Sequence, residues 1–439
     1  MSKSNQNYNS RAATSVVVAN MIGTGVFTSL GFQLLDIQSA PVILLLWFLG
    51  GVAALCGALC YSELSAALPR SGGEYNFISR IYHPGAGFVS GWISATIGFA
   101  APTALVAITS GTYLHAVYPE IPIKPFAVSL VVVVSLFHLF SRRSSSSFQV
   151  FFTSAKVILI VVFILFAFTL TEQHQSVRWS PVSDDLVSLK SGSFAVALIY
   201  VSYAYTGWNA ATYLAGEIKD AQSEMPRILI KGTLIVAVLY LLLHVVFLSV
   251  APMESMAGKL EIGYVVATHA FGSQGATWVS ILLSFLLVST ASAMIVSGPR
   301  ALQVIGQDFS LLRFLSKNSR NGIPQSAILF QLAVTILLIW TSSFEAILMF
   351  SGFALGLNTL LTVMGVWVLR RFRPEIERPF AVPWYPLPLI IFVVLMLWTL
   401  TYAILEKPAE GFLALSLIVA GWAFYLVSKK LGVKNKGVV

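Results

Sequence analysis

The chain has 439 residues, of which 57% are apolar and 10% charged, and its mean hydropathy is +0.81. Soluble domains carry roughly 25% charged residues, so this composition excludes a soluble protein and points to one integral to the bilayer. Lys and Arg outnumber Asp and Glu by 27 to 18, a net charge of +9; loop placement accounts for this excess, and no nucleic-acid partner is needed.

Twelve stretches of membrane-spanning length follow in order, at about 12–35, 41–67, 85–111, 125–141, 148–171, 193–217, 229–252, 274–303, 325–341, 344–370, 385–404 and 410–428. The spaces between them leave no room for a soluble domain. The expectation is one transmembrane domain over residues 1–428, then a basic tail over 429–439. Met1 to Ser10 is polar and lacks a signal-peptide pattern, so the first helix is retained. With the N-terminus inside, about 21 of the 27 basic residues fall in inner loops, which places both termini in the cytoplasm.

The first helix is interrupted by Ile22-Gly23-Thr24-Gly25, with no charged residue between Arg11 and Asp36. Glycine loosens a helix, and backbone loosened in hydrocarbon exposes polar groups unless it lines a cavity. The sixth helix carries a matching interruption, Thr206-Gly207-Trp208-Asn209. Paired breaks of this kind point to a secondary transporter's substrate site. Helices 1–5 and 6–10 each open with a broken helix. Five is odd, so the second set must run upside down relative to the first, an inverted repeat with helices 11 and 12 outside it.

Each break has a chemistry. The half-helix restarting after Gly23–Gly25 presents free N–H groups and a positive dipole end, suited to a carboxylate, and the Thr24 hydroxyl adds a donor. The half-helix ending at Tyr203-Ala204-Tyr205-Thr206 presents carbonyls which, with those around Met21, suit an ammonium group. An anion at one break and a cation at the other describe an α-amino acid. Tyr203 is a lid over it, or an aromatic that packs. Asn209, just past the second break, is read as satisfying freed backbone groups. No Asp or Glu lies at the middle of helices 1, 3, 6, 8 or 10, which favours a neutral side chain over a basic one or a polyamine.

Lys156, inside the fifth helix, is a buried charge and so a functional candidate. It either snorkels to the surface or reaches helices 1 and 8 near Ser289 or Ser292, in place of a sodium ion. A desolvated lysine can also exchange its proton, which makes protons candidate coupling partners.

Other classes fail on composition. Cys56 and Cys60, spaced i,i+4, read as packing residues: a metal site needs further ligands, and a disulfide along one helix has poor geometry. The six histidines are scattered, with no nucleophile–base pair, so neither an enzyme nor a cofactor is expected. No ring of charges marks a channel filter. Residues 253–273 form either a surface helix in the interface or a cap over an outer vestibule.

Four motifs together resemble the amino acid–polyamine–organocation superfamily, most closely amino acid permeases similar to bacterial relatives of the heteromeric transporter light chains. They are Ile22-Gly23-Thr24-Gly25-Val26-Phe27; Tyr61-Ser62-Glu63-Leu64 through Pro69-Arg70-Ser71-Gly72-Gly73-Glu74-Tyr75; Tyr203 through Asn209; and Glu217 through Pro226-Arg227. The resemblance implies an all-α LeuT-type 5+5 fold working by alternating access in the bacterial inner membrane. It implies that Gly23, Thr24 and Gly25 bind the substrate carboxylate and that carbonyls of Met21, Tyr203, Ala204 and Thr206 bind its amino group. Tyr203 would be the gate, and Lys156 the lysine of sodium-independent members. Thr24 stands where Ser is usual, Tyr203 where Phe is commoner, and Thr206 where a smaller residue is frequent, trimming the pocket. The loop between helices 3 and 4 lacks the cysteine with which light chains bond a heavy chain, so no covalent partner subunit is expected.

Overall fold

The computed structural model describes residues 8–140, 146–319 and 322–430. Twelve helical spans run in order: α1 (Ser10–Asp36), α2 (Ala40–Ala67), α3 (Pro84–Val117), α4 (Ile123–Phe140), α5 (Ser146–Leu170), α6 (Gly192–Ala204, then Ala210–Glu217), α7 (Ala221–Val250), α8 (Ile262–Asp308), α9 (Gln325–Thr341), α10 (Phe344–Phe372), α11 (Leu387–Glu406) and α12 (Pro408–Lys430). Ten are long and apolar enough to cross a bilayer; the first part of α6, and α9, are shorter apolar helices. Among the described residues the β-structure is one isolated parallel bridge, Tyr8 to Ile218.

Local sequence sets the ends. Asn9 caps α1 by accepting from the Ala12 amide at 2.9 Å, and Ser343 caps α10 by accepting from Ala346 at 3.1 Å. Arg370 and Arg371 occupy the last turn of α10, where cations complement the helix dipole. Hydrocarbon offers backbone groups no partner, so the two spans that break must be enclosed by protein. They are: α1 is the most buried span, while α5, α11 and α12 expose most of their length as rows of Leu, Val and Phe. α7 packs along α2, and α3 along α8, on either side of α1 and α6.

The segment 253–273 is the short helix Met253–Met256 followed by the first turns of α8, up to a bend at Gly272 with φ 69°. It is seated on α1: the Gly258 amide donates to the Gly31 carbonyl at 2.8 Å. Of its two readings, the cap is the one this contact favours. Cys56 and Cys60 are free and buried in α2. Lys429 and Lys430 end α12; the rest of the basic tail, with Lys3, Arg142, Arg143 and Arg320, lies outside the described residues.

Candidate substrate site at two helix breaks

α1 stops at Met21 and restarts at Gly25, and no side chain caps the restart. α6 stops at Ala204 and resumes as a 3₁₀ helix at Ala210. The breaks lie against each other. A Cβ on Gly25 would stand 2.4 Å from the Ala204 Cα, so only glycine lets the half-helices approach this closely. Gly207 has φ +102°, and a Cβ there would meet the Asn20 carbonyl carbon at 2.7 Å; both the turn and the contact require glycine.

Met21, Ile22, Gly23, Thr24 and Gly25 are buried, as are Tyr203 and Ala204, while Thr206 and Gly207 are partly open. Thr206 faces two small cavities beside the α6 break. One, of about 70 Å³, is lined by Asn20, Glu74, Phe99, Thr206, Asn209 and Tyr213, among others. The other, of about 50 Å³, includes Tyr203, Thr206, Gly352 and Leu355. The carbonyls at the breaks already have donors. The Tyr240 hydroxyl of α7 lies 2.6 Å from the Met21 oxygen and 3.2 Å from that of Ala204. The Tyr203 oxygen accepts from the Thr206 amide at 2.9 Å and its hydroxyl at 2.7 Å. The Met21 oxygen also accepts from the Gly23 amide at 2.8 Å, so it and the Tyr203 oxygen each have two donors already, and an ammonium would have to displace one of them.

Lys156 is 3% exposed. Its Nζ donates to the Ile22 carbonyl at 3.0 Å and to Thr290 Oγ1 at 2.5 Å, and Thr290 lies 3.3 Å from the same carbonyl. Lys156 therefore joins α5 to the α1 break and to α8, and does not snorkel. The expected hydroxyl is wrong in register: Ser289 donates to Leu286 O and Ser292 bonds His138 Nε2. Successive helical residues turn by about 100°, so Thr290 faces α1 while the serines flanking it face elsewhere.

Asn209 also departs from expectation. Its side chain does not cap backbone but donates to Glu74 Oε1 at 3.1 Å. Glu74, at the start of the helix Glu74–Ile81, is 2% exposed. It also accepts from Tyr61 of α2 and from Asn358 and Thr359 of α10. Glu74 falls between the spans 41–67 and 85–111 expected from sequence, which is why a carboxylate at the cavity wall was not foreseen; its signal was the run Ser71-Gly72-Gly73-Glu74-Tyr75. Tyr240 was missed because a lone tyrosine in an apolar helix reads as packing.

The profile of the family described as amino acid permease matches residues 9–424. The chain belongs to the amino acid permease family. It is 27% identical over 422 residues, 94% of this chain and 86% of the relative, to the b(0,+)-type amino acid transporter 1 of Homo sapiens. It is 24% identical over 433 residues, 95% of this chain and 80% of the relative, to the large neutral amino acids transporter small subunit 2 of Mus musculus. This permease is therefore a multi-pass membrane transport protein for amino acids, not an enzyme.

Proposed function

We propose that this permease is a sodium-independent secondary transporter of neutral L-amino acids, an exchanger or proton-coupled symporter working by alternating access. The substrate carboxylate would take the amides at Gly23, Thr24 and Gly25, of which that of Gly23 now donates to the Met21 carbonyl at 2.8 Å. Its ammonium would take the carbonyls of Met21, Tyr203, Ala204 and Thr206, with Tyr203 as the gate over it. The observation that carries sodium independence is Lys156: its ammonium holds the Ile22 carbonyl and Thr290, supplying there the positive charge a sodium ion would bring.

Glu74, in the wall of the cavity, is held by the protein itself. Its two oxygens are engaged by four neutral side chains, from Tyr61, Asn209, Asn358 and Thr359. These donors hold Glu74 in place but leave its charge, so the neutral class rests on the absence of Asp and Glu from the middle of helices 1, 3, 6, 8 and 10. The relative named for large neutral amino acids supports the same class, and Thr206 trims the space available to bulky members of it. The residues between α3 and α4 contain no cysteine, so no disulfide-bonded heavy chain is proposed. The membrane is the plasma membrane, a bacterial inner membrane, with both chain ends in the cytoplasm.

Purified permease in proteoliposomes tests this. Radiolabelled alanine, leucine, arginine and putrescine are offered under separately imposed sodium and proton gradients. Uptake of alanine or leucine indifferent to sodium is expected. Sodium-driven accumulation would remove the role given to Lys156, and preference for arginine or putrescine would establish the basic amino acid or polyamine alternative.

A further inference from the structure

We propose that Tyr213 is the inner gate, the ring that shuts the cavity at the helix breaks off from the cytoplasmic vestibule; this rests on reading the breaks as the substrate site. The vestibule has a volume of about 1050 Å³ and is lined by Arg70, Glu217, Arg300, Gln303 and Tyr213, among others. The cavity at the α6 break has its own wall of Asn20, Phe99, Thr206, Asn209 and Tyr213. Among the described residues Tyr213 alone lines both. Its ring therefore stands at the boundary between them.

The ring is held from both sides. It meets Phe99 edge-on, with centroids 5.3 Å apart and planes at 76°, and Ala301 of α8 completes the apolar contact. The side chains of Ser94 and Glu74 lie near its hydroxyl. Glu74 in turn accepts from Asn209 at the break and from Thr359 on α10.

Both partners sit on irregular helix. Tyr213 lies in the 3₁₀ segment Ala210–Glu217, and Phe99 follows a π-helical turn over Ser94–Gly98. Such segments have poorer hydrogen-bond geometry and frequently mark functional sites. The opposite end is closed by several layers instead. Phe32 packs on Tyr200 and Phe344, and the 253–262 segment lies over Gly31. On the cytoplasmic side the Tyr213 ring, packed on Phe99, is common to cavity and vestibule, so that contact is where the path opens.

The test is thiol accessibility, which needs no substrate and so stands or falls apart from the transport assignment. In a background with Cys56→Ala and Cys60→Ala, Leu355→Cys places a reporter in the cavity wall. A membrane-impermeant maleimide is applied to either face of vesicles holding the full-length protein. With Tyr213→Ala the labelling rate from the cytoplasmic face should rise about tenfold or more, and from the other face stay unchanged. Tyr213→Phe keeps the ring and should stay within about threefold of the parent. Parental labelling of Tyr213→Ala from the cytoplasmic face overturns the proposal. Phe99→Ala removes the other half of the seal and must show the same one-sided rise, which decides the matter if Tyr213→Ala fails to fold.

Discussion

The Tyr240 hydroxyl lies 2.6 Å from the carbonyl oxygen of Met21, the last residue of the first half of α1. It lies 3.2 Å from the oxygen of Ala204, the last helical residue before the α6 break. One side chain on α7 thus spans the carbonyl ends of both broken helices. An unmade bond at a buried carbonyl costs about 1–3 kcal/mol. Tyr240→Phe should therefore lower amino acid uptake about tenfold or more while leaving elution on size exclusion unchanged. Uptake at the parental rate would show that the hydroxyl is dispensable.

Lys156→Ala leaves the Ile22 carbonyl with Thr290 as its one remaining side-chain partner and removes the link from α5 to α1. Uptake should fall by at least about tenfold. Because Lys156→Met keeps much of the apolar stem, its failing equally would locate the effect in the ammonium.

Gly25→Ala tests the approach of the half-helices. A methyl group 2.4 Å from the Ala204 Cα must push backbone apart, and such overpacking costs about 1–3 kcal/mol. The variant should melt lower in detergent and lose substrate-induced thermal stabilisation. Gly272→Ala, which meets no atom within 4 Å, is the comparison for backbone strain alone.

Glu63 is fully buried and accepts from Arg370 Nε at 2.8 Å and from the Val382 amide at 2.8 Å. Arg370→Ala strands that carboxylate, a loss of about 3–5 kcal/mol for a broken buried pair. A several-degree fall in melting temperature is expected. It should be smaller in Glu63→Gln/Arg370→Ala, which leaves no unpaired charge.

The loop before α6 has a pH dependence of defined sign. The Ser39 hydroxyl, donating to Asp185 at 2.6 Å, and the Val182 amide hold its carboxyl below the usual aspartate range, with Arg178 adding to the effect. A depressed value means the contribution is present above the unfolded pKa of about 3.9 and is lost as pH falls through the folded one. Amide exchange over residues 182–191 should be slow at pH 7 and faster in Asp185→Asn. Equal protection in both would remove Asp185 as the anchor.

Much of this architecture is legible from one sequence because bilayer physics is severe. Twenty apolar residues have few alternatives to a helix, and glycine pairs inside such helices serve either a break or close helix packing. The breaks at Gly23–Gly25 and Gly207 follow from that, and of the two readings of Lys156 the one that reaches α1 is the one found. The errors are contacts between segments distant in the chain. Thr290 rather than Ser289 or Ser292 meets Lys156, because a rotation of about 100° per residue decides the neighbour. Asn209 meets Glu74, 135 residues away, a distance that helical spacing does not span.

Amino acid order alone therefore determined that the chain is a helical membrane protein, where two helices break, and which charge lies deep. Those outcomes depend on local composition and on the cost of exposing polar backbone to hydrocarbon. Packing decided the rest: that Glu74 leaves its loop to become the hub beside the break, that Tyr240 spans two carbonyl ends, and that Tyr213 stands between two cavities. Each requires helices far apart in sequence to meet at side-chain resolution, and close-packed interiors set that register.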